Sequence, residues 1–166
     1  YANAGISLGK KTDLPNFELA RDIFEINTMG VLNTFEVALE KMIQQKSGHL
    51  VAVASVAGFI GLPGAFAYSA SKAAVLKVCE SFSLTLPKYG IHTNAIAPGF
   101  IDTPLTQKNN HPMPFIMDAS KAAKKIINAV QAKKTLYLFP FSMKILIIIL
   151  DKMPRFLYRW ILLRRN

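Results

Sequence analysis

A single cysteine, Cys79, stands among 166 residues, which excludes a disulfide framework and any cysteine-based zinc site. A lone thiol inside a helical pattern reads as a small core residue of a reducing compartment, and a cytoplasmic setting is expected. Nine glycines and nine prolines are too few for collagen-like or low-complexity chains. With 51% hydrophobic and only 18% charged residues, the chain is also far too apolar to be disordered. No charged segment with an apolar stretch behind it opens the chain, so no signal peptide is expected. Acids are nearly missing from the carboxyl end: residues 121–166 hold eleven Lys/Arg against Asp151 alone. Residues 1–120 carry nine of each sign, so the tail supplies the whole net charge of +10. Body and tail are expected to do different jobs, with boundaries at residues 1–140 and 141–166.

What is present alternates. The opening Tyr1-Ala2-Asn3-Ala4-Gly5 reads as the end of a strand that begins outside the chain, as in a fragment. A helix follows, with Asp13 as N-cap, Pro15 near the first turn, and Phe17, Ala20, Ile23, Phe24 and Ile26 at helical spacing. A second helix is expected over Val31 to Gln45, ended by Gly48 as its cap. Leu50 to Ala54 is a continuous apolar run, the habit of strands buried on both faces of a parallel sheet. A glycine-punctuated loop at 55–64 leads to a helix from about Ala65 to Tyr89, stopped by Gly90. Ile91 to Ile96 is the next strand, closed by Pro98-Gly99. An irregular loop at 104–118, a helix at about 119–132 and a strand from Thr135 to Phe139 complete the alternation. This order defines an α/β, doubly wound parallel sheet of Rossmann type, here incomplete.

Tyr68-Ser69-Ala70-Ser71-Lys72 sets a phenol and an ammonium four residues apart, on one helical face. A cation beside the phenol favours the phenolate and is expected to lower the tyrosine pKa, making Tyr68 a general acid/base. Ser55 ends the preceding strand, with twelve residues between it and Tyr68, where ligands of open α/β sheets bind. Each feature alone is commonplace; the ordered combination of strand, serine, Tyr-x-x-x-Lys helix, strand and Pro-Gly is specific. His49, His92 and His111 show no metal-ligand spacing, and no metal is assigned.

These residues resemble the short-chain dehydrogenase/reductases over nearly the whole chain. Asn3-Ala4-Gly5 is similar to the end of the family's Asn-Asn-Ala-Gly motif, with Ala2 departing from its first Asn. Asn27 matches the catalytic asparagine; Ser55, Tyr68 and Lys72 match the rest of the tetrad. Pro98-Gly99-Phe100-Ile101-Asp102-Thr103 matches the segment lying against the nicotinamide. The resemblance implies an oxidoreductase that interconverts a carbonyl and an alcohol with NAD or NADP. Tyr68 would move the proton, and Lys72 would lower its pKa and bond the nicotinamide ribose. Ser55 would bond the substrate oxygen. Asn27 would hold a water linking Lys72 to solvent, its plainer and compatible reading being a helix-kink asparagine bonded to neighbouring backbone. The Ile101 backbone and Thr103 would meet the carboxamide. Asn3, Ala4, Gly5, Pro98 and Gly99 would complete the cofactor contacts, and a homo-oligomer is usual in the family.

The family's glycine-rich dinucleotide loop does not occur in these residues, which leaves NAD and NADP undistinguished. On the order of 75 to 90 further residues would carry it, and the chain by itself is expected not to turn over.

The tail is strongly apolar from Phe139 to Leu163, but Asp151, Lys152 and Pro154 interrupt any bilayer-spanning run. Lys152, Arg155 and Arg159 fall on one helical face, with Phe156, Leu157, Trp160, Ile161 and Leu163 opposite and Arg164 and Arg165 beyond. Two readings stay open: an interfacial helix on anionic lipid through residues 144–166, or a helix over the substrate pocket or a subunit interface. Met113, Phe115, Ile116 and Met117 add apolar surroundings, so a hydrophobic, lipid-like ketone or alcohol is the expected substrate. The rival is a membrane-surface protein with a vestigial site. Nucleic-acid binding is not expected, because the tail's charges lie beside a hydrophobic face.

Overall fold

The computed structural model describes residues 1–7, 14–109 and 112–163. At its centre β1 (Gly48–Val53), β2 (Ile91–Pro98) and β5 (Leu136–Phe139) form a parallel sheet in the order β1-β2-β5. On the outer edge of β1, Ala2 forms a parallel bridge to Ala52: its N–H donates to Val51 O and its carbonyl accepts from Val53 N–H. The opening residues therefore lie where a strand end was expected.

Alternation along the strands divides the core. Leu50, Ala52 and Ala54 pack with Val31 and Phe35 of α2 (Gly30–Gln45) and Val75 and Cys79 of α3 (Phe66–Thr85). Val51 points the other way, to Ile96, Phe139 and the Ala122, Ala129 and Val130 face of α4 (Ala119–Gln131). Helices cover both faces of a parallel sheet, and the fold is the doubly wound α/β type.

Several local expectations are corrected. The expected cap Asp13 lies outside the described residues; Asn16 caps α1 (Phe17–Phe24), its side chain accepting from Leu19 N–H at 3.0 Å. The two expected helices are continuous: a π-helical stretch, Glu25–Met29, joins α1 to α2. Gly48 is not the cap of α2. Lys46 takes the left-handed conformation there (φ 54°), and Gly48 opens β1, where a Cβ would strike the Met42 side chain. The long helix ends at Thr85, and a 3-10 turn, Pro87–Tyr89, precedes Gly90. Gly90 does stop it, at φ 73°, where a Cβ would collide with the Lys46 carbonyl. The loop expected at 104–118 closes on a short parallel pair, β3 (Ile101–Asp102) with β4 (Met117–Asp118).

Beyond β5, α5 (Phe141–Lys152) and α6 (Arg155–Leu163) turn one side inward. Met143, Ile147 and Tyr158 bury themselves with Val56 and Ile60, and the Tyr158 hydroxyl donates to the Gly61 carbonyl. Among the described residues, no helix is long and apolar enough to cross a membrane.

Candidate active site

Ser55 leaves the end of β1 in extended conformation and caps a 3-10 turn, Val56–Gly58, its Oγ accepting from Ala57 N–H at 3.1 Å. That turn lies hard against α3. A Cβ on Gly58 would stand 2.8 Å from the Lys72 carbonyl carbon and 3.0 Å from Ala73 N, so only glycine admits the approach. Tyr68, in the first turn of α3, lines the same cavity as Ser55, near enough for the serine hydroxyl to act on its pKa. The spacing that suggested two neighbouring hydroxyls thus brings them together.

Lys72, one turn further along α3, is 4% exposed. Its Nζ donates to Val53 O at 2.9 Å and lies 5.9 Å from the centre of the Tyr68 ring. The electrostatics differ from expectation. Burial raises the Tyr68 pKa above the ordinary tyrosine value, and the hydrogen bond with Ser55 draws it partly back. Burial also brings Lys72 down to about 8. Burial, rather than the neighbouring cation, sets the direction of the Tyr68 shift, so the ground state holds Tyr68 protonated.

Asn27 sits in the π-helical stretch and is fully buried. Its Nδ2 donates to Ile6 O at 3.0 Å and to Ser71 Oγ at 3.2 Å, and its Oδ1 accepts from Ile6 N–H at 2.8 Å. Ser71 Oγ in turn donates to Tyr68 O. The Asn27 amide therefore ties the segment after Gly5 to the helix carrying Tyr68 and Lys72. These partners are remote in sequence and one is a side chain, so they differ from the neighbouring backbone of the plainer reading. A Cβ on Gly5 would lie 3.1 Å from Asn27 Oδ1 and 3.3 Å from Lys72 Nζ, so the glycine leaves a gap that both atoms border.

The other expected cofactor residues scatter. Asn3 and Ala4 are exposed, Pro98 is buried at the end of β2, and Gly99 N–H donates to Phe139 O at 2.7 Å. The Ile101 carbonyl accepts from the Thr106 hydroxyl, and Thr103 N–H donates to the same hydroxyl at 3.0 Å. Thr106, Ser71 and Gly58 were not singled out from the sequence. Gly58, three residues after the strand-end serine, carried the one readable signal.

Ser55 and Tyr68 face a cavity of about 280 Å³. Its wall is apolar: Ile60, Leu62, Phe100 and Leu105 from the loops, and Met143, Leu146, Ile147 and Leu150 from α5. Ser7, Thr106 and Asn109 add neutral polar groups, and among the described residues no charged side chain lines it. Of the two readings of the tail, α5 takes the one that covers the pocket. Burial pushes the Cys79 thiol up to about 12, as befits a core thiol. His49 and His92 lie side by side on β1 and β2, ring centres 5.2 Å apart. Among the described residues no three His, Cys, Asp or Glu side chains converge as a metal site. His111 lies outside those residues.

Residues 1–114 match the family model for short chain dehydrogenase, and the chain belongs to that family. It is 36% identical over 144 residues to an uncharacterized oxidoreductase of Myxococcus xanthus, covering 87% of this chain and 57% of that protein. It is 33% identical over 151 residues to a cyclopentanol dehydrogenase of Comamonas, covering 90% of this chain and 57% of the relative. A short-chain dehydrogenase of Burkholderia cenocepacia, solved with NADP, superposes with a TM-score of 0.82 at 22% identity, covering 96% of this chain and 66% of its own. The chain spans little more than half the length of the two curated relatives.

Proposed function

We propose that the protein carrying this chain interconverts a neutral, hydrophobic ketone and its secondary alcohol, with Tyr68 as general acid/base. The observation that carries the reading is the cavity itself: Ser55 and Tyr68 line a chamber whose wall is mostly apolar and, among the described residues, free of charged side chains. A carbonyl oxygen has two hydroxyls to meet there, while a carboxylate or phosphate would meet no cation among the described residues. The cyclopentanol dehydrogenase named above is similar and is named for a small alicyclic alcohol.

In the reducing direction the Tyr68 hydroxyl gives its proton to the substrate oxygen, and Ser55 donates a hydrogen bond to that oxygen as charge builds on it. Burial, which holds Tyr68 protonated, suits it to this donation. In the oxidising direction the phenolate must form first. The cost of holding that phenolate out of water is then offset by the Ser55 hydroxyl and by protonated Lys72 nearby. A nicotinamide, NAD or NADP, supplies or accepts the hydride when bound. The residues present fit its reactive end: Lys72 Nζ directs one N–H to Val53 O and retains two for ribose hydroxyls, and Gly5 leaves the adjoining space open. A water in the gap between Asn27 Oδ1 and Lys72 Nζ would recharge Lys72 with protons from solvent.

The rival, a membrane-surface protein with a relict site, is disfavoured as the whole account because α5 of the tail is itself a wall of the cavity. The test is a substrate panel on the full-length protein with NADH and NADPH. Alicyclic and medium-chain ketones should surpass 2-keto acids and sugars in kcat/KM by about 100-fold, one buried unpaired charge or several lost apolar contacts being worth that much. Preference for an anionic or polyhydroxylated substrate overturns the reading.

A further inference from the structure

The outward side of the carboxyl-terminal helices is left unexplained by the cavity. Tyr158 and Leu162 of α6 point inward, and the opposite side of the helix carries Phe156, Trp160 and Leu163, which are 77%, 51% and 70% exposed. These three stand at i, i+4 and i+7 and so form one stripe along the helix. Arg155 and Arg159, both exposed, run along its flank, with the Arg155 guanidinium 6.0 Å from the buried Tyr158 ring. The preceding helix repeats the combination: Phe141, Ile145, Ile148 and Ile149 are exposed beside Lys144 and Lys152. The one acid of both helices, Asp151, is paired with Lys152 at 3.8 Å.

From this we infer that α6, assisted by α5, docks the protein on an anionic lipid bilayer. Large side chains on the outer face insert at the level of the acyl boundary, while Arg155, Arg159, Lys144 and Lys152 meet lipid phosphates. Charge selects this occupant. A second copy of the same face would set cations against cations, and a plain apolar protein groove would leave the arginines without partners. A bilayer with anionic headgroups satisfies both halves of the surface. Neither helix can cross the membrane, so the attachment is peripheral and reversible. The inner side of α5 walls the cavity through Met143, Leu146, Ile147 and Leu150. A hydrophobic substrate dissolved in the bilayer would thus lie next to the chamber that receives it.

The surface does not depend on the proposed reaction, and its test uses no substrate. Full-length protein is sedimented with vesicles of phosphatidylcholine alone or with 30 mol% phosphatidylglycerol (about that fraction suffices for a marked surface potential). The emission of Trp160, the one tryptophan of this chain, is taken as the signal lost in Trp160→Phe. Partitioning at least about tenfold stronger to the anionic vesicles, falling with added salt and accompanied by a blue shift of Trp160, is expected. Arg155→Gln with Arg159→Gln should lower it about tenfold or more with the melting temperature unchanged. Phe156→Ser should weaken binding to the anionic vesicles without altering its salt dependence. Equal partitioning to both vesicle types, or binding indifferent to the arginine changes, overturns the inference. So does a concentration-dependent dimer in which Trp160 is already blue-shifted without lipid, since the occupant would then be a second copy.

Discussion

Asn27 and Ser71, forty-four positions apart, are joined by a buried hydrogen bond of 3.2 Å. Through it the π-helical stretch after α1 is fastened to the helix that carries Tyr68 and Lys72. The extra residue of a π turn re-aims a side chain without breaking the helix, and such stretches gather at functional sites. Here it turns the amide to Ile6 and Ser71 at once.

That relationship predicts unequal costs. Asn27→Leu strands both the N–H and the carbonyl of Ile6 and should destabilise the protein by about 2 kcal/mol or more. Ser71→Ala removes one partner and should cost about 1 kcal/mol. Urea unfolding measures both; if neither differs from the parent by more than about 0.5 kcal/mol, the amide is not the fastening described.

Lys72 gives a prediction in pH. Its folded pKa of about 8 lies below the ordinary 10.5, so between those values the unfolded chain binds a proton that the folded chain does not. Stability through this group therefore rises as the pH climbs from 8 to 10.5, and the burial cost is fully present below 8. Lys72→Met should be more stable than the parent at pH 7, by at most on the order of 3 kcal/mol, and the gap should close over that window. Taking the difference between the two proteins cancels the opposing contributions of Cys79 and Tyr68. A gap that widens with pH contradicts a desolvated lysine.

Gly58→Ala tests the approach of the serine-bearing turn to α3. The added methyl meets backbone, at 2.8 Å from the Lys72 carbonyl carbon, so the turn must move. A cost of about 1–3 kcal/mol is expected, with kcat falling more than KM rises because Ser55 shifts from Tyr68. Unchanged stability and kcat would mean that the turn has room to spare.

The pairing of Tyr68 with Lys72 was legible because helical spacing alone puts i and i+4 on one face, and Ser55 because a buried strand ends there. The π-helical stretch was not legible. Its residues are ordinary helix formers, and the widening is decided by Asn27 reaching Ile6 and Ser71, contacts remote in sequence. Gly48 misled because a glycine after a helix reads as a cap, whereas Lys46 accepted the left-handed turn and Gly48 answered to Met42. The fall in tyrosine pKa was expected from charge alone; burial, which runs the other way, depends on packing that no spacing reveals. On α6, the stripe of Phe156, Trp160 and Leu163 was grouped with Leu157 and Ile161 as one apolar face. The inward turn of Tyr158 and Leu162 narrows it.

Leu146, on the cavity wall but 38% exposed, can be trimmed with little loss of fold. Leu146→Ala should raise kcat/KM for a ketone longer by two methylenes relative to the shorter one by about tenfold. No change in the ratio would place the growing end of the substrate elsewhere.

The central claim is proton transfer by Tyr68 at a neutral carbonyl, and single-turnover reduction by the full-length Tyr68→Phe protein tests it most directly. With an alicyclic ketone and saturating reduced cofactor at pH 7, the variant should bind the cofactor as the parent does. Its hydride transfer should be slower by about 100-fold or more. A transfer rate equal to the parent's would contradict the account and give the proton to another group.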